Sequence, residues 1–421
     1  MREGWRTAKL ADLCEFRNGL WKGKKPPYVH VGVIRNTNFR ADGSLDDSDI
    51  AYLDVEQKQF EKRSLQYGDL ILEKSGGGPK QPVGRVVLFD KEDALYSFSN
   101  FTSVIRVLDS SHLDFNYLHR VLYWYYLSGA TEMMQRRSTG IRNLDFGAYK
   151  ALDIPLPPLP EQKRIVAILD EAFAGIATAV ANTEKNLANA RELFESYLST
   201  TLSRQGEGCA TRTLDELCSI ARGGSPRPIR AFLTNDPGGI NWIKISDATA
   251  SSKYIYETKQ KINPEGVKRS RMVNEGDLLL SNSMSFGRPY IMKTSGCIHD
   301  GWLVLSDKSG LYEKEYLYHY LGSSDAYRQF DSRASGSTVR NLNIDLVRTV
   351  SVPLPSLDTQ REIVEALEDF AAECDRLESI YQQKLGAFGE LKQSLLQKAF
   401  CGELTAGKVG ASQPHEETSV A

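Results

Sequence analysis

The chain has 421 residues, 41% hydrophobic and 25% charged, with 52 lysines and arginines against 54 aspartates and glutamates. That length predicts roughly two to four domains, and a net charge of −2 excludes a simple basic coat for nucleic acid. Six cysteines without a CxxC pair read as reduced thiols of a cytoplasmic protein, not as a disulfide framework.

The N-terminus, MREGWRTAKL, lacks the apolar core of a signal peptide. No run approaches the ~18 apolar residues of a membrane span, so no membrane contact is expected. Charge is unevenly distributed: residues 1–158 carry +2, residues 205–356 carry +3 and residues 357–404 carry −5.

The first globular segment opens on GWRTAKLADLCEFRNG. A basic, turn-rich loop follows, from Gly19 to Tyr28. β-like runs are predicted at Tyr28 to Ile34 and Thr102 to Leu108. Gly68-Asp69 reads as a turn into a buried strand, Leu70 to Leu72, and a small-residue loop then ends at Gly84-Arg85. The aromatic stretch NYLHRVLYWYYL predicts a short helix whose Tyr117, Tyr123, Trp124, Tyr125 and Tyr126 belong to core or to a subunit interface. Pro155, Pro157, Pro158 and Pro160 stop regular structure and form a stiff extended elbow.

From residue 159 to 204 a helix is predicted, with Ile165, Leu169, Ala172, Phe173, Ile176, Val180, Leu187, Ala190, Phe194 and Leu198 on one stripe. The same order then recurs. Leu214 and Leu217 repeat Leu10 and Leu13, and Gly223 to Phe232 repeats the basic loop. Strands are predicted at Ile240 to Ile245 and Trp302 to Leu305, with Gly276-Asp277 and Gly287-Arg288 as the matching turns. A second elbow at Pro353 and Pro355 leads into a helix over 357–404, with Asp358 and Thr359 as capping candidates. Its stripe is Ile363, Leu367, Phe370, Cys374, Leu377, Tyr381, Leu385, Phe388, Leu391 and Leu395. Residues 405–421 are small and polar and read as a disordered tail.

From Arg142/Arg340 through Gln162/Gln360 to Leu187/Leu385 the offset between copies is 198 residues, so the chain is a tandem duplication. The expected fold is α+β: two mixed α/β domains, 1–158 and 205–356, joined by two long helices in an antiparallel coiled coil about a pseudo-twofold axis. About 44 residues at ~1.5 Å each give a helix of roughly 66 Å, which needs a partner for its apolar stripe. Antiparallel pairing sets Arg191 and Arg204 beside the acids Glu365, Glu368, Asp369, Glu373, Asp375 and Glu378.

Several stretches together carry a family resemblance: the elbows PLPPLPEQKRIV and PLPSLDTQREIV, the strands YVHVGVI and INWIKIS, the turns GDLIL and GDLLL with their following Gly-Arg, and the closing KAFCGEL. Over residues 4–404 the chain resembles the specificity subunit of type I restriction–modification systems. The resemblance implies that each globule is a target recognition domain for one half of a bipartite double-stranded DNA site. It also implies that the helices act as spacer and dock two methyltransferase (M) subunits, that two restriction (R) subunits can join, and that adenine is methylated by the partner. One departure is Glu73-Lys74 in the first copy where the second has Ser281-Asn282.

Catalytic groups are not expected in this chain. Lys25-Pro26-Pro27-Tyr28 lacks the acceptor an amino-methyltransferase loop needs, no glycine-rich phosphate loop is present, and the six histidines show no ligand spacing. No cofactor or metal is therefore expected. Asp69, Glu73 and Lys74 read as a turn aspartate and a solvated pair. Candidate DNA contacts are the loop bases Lys22, Lys24, Lys25, Lys74, Lys80, Arg85, Arg222, Arg227, Arg230 and Arg288, which suit phosphates and guanine. Arg142 and Arg340 either join them or hold the elbow. Candidate docking residues on the outer helix faces are Glu161, Arg164, Glu171 and Glu184, then Arg361, Glu362, Glu368 and Asp375. Their alternative is an ordinary solvated face. A scaffold protein that binds other proteins, or an enzyme with a divergent site, are the competing readings. DNA binding with a steep salt slope separates the first, and methyl transfer by the chain alone the second.

Overall fold

The computed structural model of the chain describes residues 4–20, 23, 25–78, 81–92, 95–138, 141–206, 208–248, 253–282, 287–334 and 342–406. The expected tail lies outside these from residue 407 on. The chain forms two compact units, Met1–Thr183 with Gln383–Ala421, and Glu184–Gln382. Each contains one globular body and half of each long helix.

In the first unit the core sheet is antiparallel, in the order Cys14–Asn18, Thr102–Val107, Leu70–Glu73, Val86–Leu88. Leu70, Ile71 and Leu72 are fully buried, as expected of a central strand covered on both faces. A second sheet pairs Ala51–Glu56 with Tyr28–Ile34 antiparallel, and the latter with Tyr96–Phe98 in parallel. The aromatic helix, Phe115–Leu127, is capped by Asp114, whose side chain accepts from the Tyr117 amide. It buries Tyr117, Leu118, Val121 and Leu122 in the same core as Ile165, Leu169, Phe173 and Ile176 of the first long helix.

The second unit repeats this plan. Cys218–Arg222, Trp302–Asp307, Leu278–Ser281 and Pro289–Met292 stand in the same antiparallel order, with Tyr254–Ile255 added in parallel. A second five-stranded sheet holds Ile240–Ile243 against Gly296–Ile298, which in turn pairs with Arg271–Val273. The predicted strand ends at Ile243 because Ile245 already begins a short helix, Ile245–Ala248. The mixed α/β character of both bodies is as expected.

The proline elbows are more regular than expected. Asp153–Leu156 pairs antiparallel with Arg6–Lys9, and Ser351–Leu354 with Ala210–Thr213. A two-stranded ribbon tolerates proline because each strand has a free edge for the missing N–H. Each ribbon is tied to the aromatic helix of its own unit, Phe115–Leu127 in the first and Lys314–Gly322 in the second: the Tyr117 hydroxyl donates to the Pro155 carbonyl at 3.1 Å, and that of Tyr316 to Pro353 at 2.8 Å.

A fully buried glutamine fixes each helix start. Gln162 Oε1 accepts from the Asp114 amide at 2.9 Å, while Nε2 donates to the carbonyls of His112 (2.8 Å) and Pro157 (2.9 Å). Gln360 repeats this with the Glu313 amide (2.9 Å) and the carbonyls of Leu311 (3.0 Å) and Pro355 (2.9 Å). The cap of the second helix is Ser356, whose hydroxyl accepts from the Thr359 amide at 3.2 Å. That replaces Asp358 and Thr359, which fall inside the first turn.

The long helices span Leu159–Gly206 and Leu357–Cys401. In the first unit, the N-terminal part of the first helix packs with Leu396, Ala399 and Phe400 at the end of the second. In the second unit, Leu198 and Leu202 pack with Ile363 and Leu367. Opposite ends therefore meet in each unit, which is antiparallel pairing. Arg191 reaches Glu378 at 3.0 Å, one of the ion pairs the charge pattern predicts. Each helix also packs on a globule, so pairing and docking share one core. The stripe is not wholly covered: Leu377 and Leu391 are 37% and 45% exposed, since a straight helix drifts away from a strict heptad seam.

One expectation needs correcting. Within Leu159–Arg204 an 18-residue window reaches a mean hydropathy of 1.5, long and apolar enough by composition to cross a membrane. Small residues on its outer face cause this. Ala167, Ala174, Gly175, Ala177 and Ala181 are exposed, while Ile165, Leu169, Phe173 and Ile176 lie in the core.

Candidate nucleic-acid interface

The basic loop of each body leaves the first core strand through a glycine. A Cβ on Gly19 would lie 1.7 Å from the Ser99 carbonyl oxygen, and one on Gly223 2.1 Å from that of His299. Only glycine permits this approach, and it presses each loop against the turn that opens the next core strand. Lys22, Lys24, Lys80 and Arg340 lie outside the described residues. Lys25 is exposed. Lys74 is half-buried, its ammonium donates to Asn18 Oδ1 at 2.8 Å, and burial pulls its pKa down.

In the second unit two of the loop arginines, Arg222 and Arg227, meet one turn. Arg222 Nε donates to the Asp300 carbonyl at 2.9 Å. Arg227 lies 3.7 Å from the Asp300 carboxylate with its side chain 84% exposed. Arg230 is exposed on the short turn Ile229–Ala231.

In this unit the structure adds three cations that the sequence reading missed. Arg271 Nε donates to the Arg222 carbonyl at 2.8 Å, and the Arg269 guanidinium lies 5.2 Å from the Phe232 ring. Lys268, Arg269 and Arg271 are all exposed. The first unit has the same strut: Arg63 Nε donates to the Asn18 carbonyl at 3.1 Å, with Lys58 and Lys62 exposed on the helix Gln57–Arg63. The run KRSR, Lys268 to Arg271, was the available signal.

Arg85 faces inward. Arg85 is 11% exposed and grips the Glu73 carboxylate at 2.8 and 2.9 Å, with further bonds to the carbonyls of Phe39 (2.9 Å) and Asn36 (3.2 Å). Glu73 is therefore a buried ion partner and not half of a solvated pair. Asp69 is likewise buried against Arg106 at 2.6 Å, and it accepts from the Gln66 amide at 2.8 Å to close its turn. Asp277 closes the matching turn through the Asn274 amide at 2.8 Å. Arg142 stands on Ile141–Leu144, opposite Arg137 and Gly77, while the adjacent Asn143 accepts from the Ser75 hydroxyl. Arg288 is exposed, and it lines a cavity of ≈ 660 Å³ with Lys253, His319 and Glu368, apart from the arginine face.

Of the docking candidates, Glu171, Glu184, Glu362 and Asp375 are exposed. Arg361 pairs with Glu313 at 2.7 Å and with Asp358 at 3.1 Å, yet is 61% exposed. Glu161 accepts from the Thr405 hydroxyl and lies 3.9 Å from Arg164. Glu368 instead joins helix to globule. His319 Nε2 lies 2.7 Å from its Oε1, Lys253 pairs with the same oxygen, and these contacts hold its pKa down at about 2.

The family model of the type I restriction modification DNA specificity domain matches twice, over residues 2–187 and 206–385. The chain belongs to that family. Among its relatives, the type I restriction enzyme StySPI specificity subunit of Salmonella potsdam is 23% identical, over 96% of this chain and 90% of the relative. The EcoKI specificity subunit of Escherichia coli K12 is also 23% identical, with the same coverages. Among solved structures, one described under complex assembly and conformational transition of the type I R-M system aligns with a TM-score of 0.79 at 20% identity, over 96% of this chain and 99% of that one. The HsdS subunit from Thermoanaerobacter tengcongensis aligns with a TM-score of 0.62 at 19% identity, over 96% and 98%. Both likenesses establish the fold of this family member.

Proposed function

We propose that the chain is the non-catalytic DNA sequence-specificity subunit of a type I restriction–modification complex, acting in the cytoplasm. Residues 1–158 and 205–356 each read one half of an asymmetric bipartite site. The helices, 159–204 and 357–404, act as spacer and docking surface for two methyltransferase subunits, and two restriction subunits join them. The partner modifies adenine, taken out of the duplex into the partner's own pocket. The observation that carries this reading is the duplicated family match, one copy on each globular body.

The surfaces support it. A fixed framework of turns, elbows and buried glutamines recurs in both copies, while the loops above it differ. Lys25 in the first domain, and Arg222, Arg227, Arg230, Lys268, Arg269 and Arg271 in the second, supply donors for phosphate and base edges. Lys22, Lys24, Lys80 and Arg340 belong to the same proposal by their place in the sequence. Glu171, Glu184, Glu362 and Asp375 are the proposed docking residues.

The test is methylation mapping in a methylation-free host that expresses this chain with its methyltransferase partner. The expected result is a split motif with a constant gap that disappears when this chain is omitted. Methylation that persists unchanged without the chain would overturn the reading and favour a protein-binding scaffold.

A further inference from the structure

The two basic loops rest on equivalent turns with different tips. Gly19 packs on the turn bearing Asn100, and Gly223 on the turn bearing Asp300. Asp300 is a carboxylate set among Arg222, Arg227 and their neighbours, and it is firmly placed. Its Oδ1 accepts from the Ser225 hydroxyl at 2.5 Å, and its backbone carbonyl accepts from Arg222 Nε and Asn282 Nδ2, both at 2.9 Å. Its Oδ2 faces Arg227 at 3.7 Å, and its side chain remains 46% exposed. The Ser225 hydrogen bond, with a lesser contribution from nearby cations, keeps the carboxyl ionised below the usual range.

A carboxylate on a face that meets phosphates weakens binding unless the DNA offers it a donor. In the major groove the donors are the exocyclic amines of cytosine and adenine. Adenine also presents N7, an acceptor that an ionised carboxylate cannot satisfy. Cytosine presents its amine while the paired guanine presents two acceptors, O6 and N7, which suit a guanidinium. Asp300 beside Arg227 matches that set of groups.

We propose that Asp300 is a base-reading residue of the second domain, accepting from cytosine N4 while Arg227 donates to the guanine of the same pair. This rests on the specificity-subunit reading and says which base pair one position selects. The first domain carries an amide at this place. Asn100 offers both a donor and an acceptor, the pairing suited to adenine, so the two copies read different bases from one scaffold position.

The test is Asp300→Asn in the full chain, expressed with the methyltransferase partner and read by methylation mapping. The substitution is isosteric, an amide oxygen still accepts from Ser225, and the backbone bonds to Arg222 and Asn282 do not involve the side chain. One C·G position in one half of the motif is expected to lose about tenfold or more of its selectivity, shifting toward A·T. The other half stays unchanged. Arg227→Gln alters a side chain that is 84% exposed, and it relaxes the same base pair. A motif identical at every position in both variants would refute the proposal while leaving the wild-type reading intact. If Asp300→Asn abolishes methylation altogether, Arg227→Gln decides, and an unaltered motif there refutes it. A wild-type chain that directs no split motif overturns the underlying reading and this inference with it.

Discussion

Gln162 and Gln360, fully buried themselves, each satisfy one amide and two carbonyls of the loops around them. Leucine fits the space but leaves all three groups unpaired, and each buried unsatisfied group costs free energy of its own. Gln360→Leu is expected to destabilise the second unit by about 3 kcal/mol or more, seen as a lower denaturant midpoint with little change in slope. A loss below about 1 kcal/mol would mean that the anchor carries little of the fold. The Glu73–Arg85 pair, 2% and 11% exposed, poses a different question. Removing one member strands a charge, so Arg85→Met is expected to cost about 3–5 kcal/mol. Replacing both, as Glu73→Leu with Arg85→Met, is expected to recover most of that loss. If the double variant is no better than the single one, the backbone bonds from Arg85 to Phe39 and Asn36 carry the stability instead. The adjacency Glu73-Lys74 misled the sequence reading here. The real partner sits twelve residues on, brought opposite by the hydrogen bond from the Glu73 amide to the Arg85 carbonyl at 2.8 Å.

At the scale of elements, the duplicated parts were legible because both copies solve one packing problem with the same residue types. The turns at Asp69 and Asp277, the buried strands after them, the aromatic helices and the helix stripes all repeat. The ribbons at Pro155 and Pro353 were hidden because their partner strands lie at the start of each copy, some 150 residues away in sequence. The arginine face was half legible: Arg222, Arg227 and Arg230 lie in one loop, but Arg271 joins them only through the sheet that carries its strand. The link between helix and globule diverges between copies. Arg120 pairs with Asp170 at 2.7 Å in the first unit, where His319 and Lys253 hold Glu368 in the second. Glu368 has its pKa lowered from 4.5 to about 2. Its contribution to stability is therefore complete above pH 4.5 and disappears as pH falls toward 2. Because Glu368 is 43% exposed, solvent screening makes that contribution modest. Glu368→Gln should flatten the fall in melting temperature of the second unit across that window. An unchanged acid profile would show that the link adds nothing to folding.

For the whole molecule, a net charge of −2 means that DNA binding has to come from local faces. Charges farther away than about 8 Å are screened at physiological salt, so the −5 of residues 357–404 does not cancel a basic surface elsewhere. Two kinds of contact should then separate experimentally. Cations that meet phosphates release counterions and steepen the salt dependence by about one unit each, whereas a residue that reads a base edge changes the motif. Arg230, Lys268 and Arg269 are exposed and not part of the turn that holds Asp300. The triple change Arg230→Ala, Lys268→Ala, Arg269→Ala is expected to lower the slope of log affinity against log salt by up to about three. It should weaken binding to all sequences alike and leave the methylated motif as it was. Asp300→Asn should do the reverse, changing the motif with the slope retained. The measurement is a salt titration of DNA binding by the complex, on the cognate duplex and on a scrambled one. A slope that does not move in the triple variant would take this face off the DNA and require the second domain to bind through another surface.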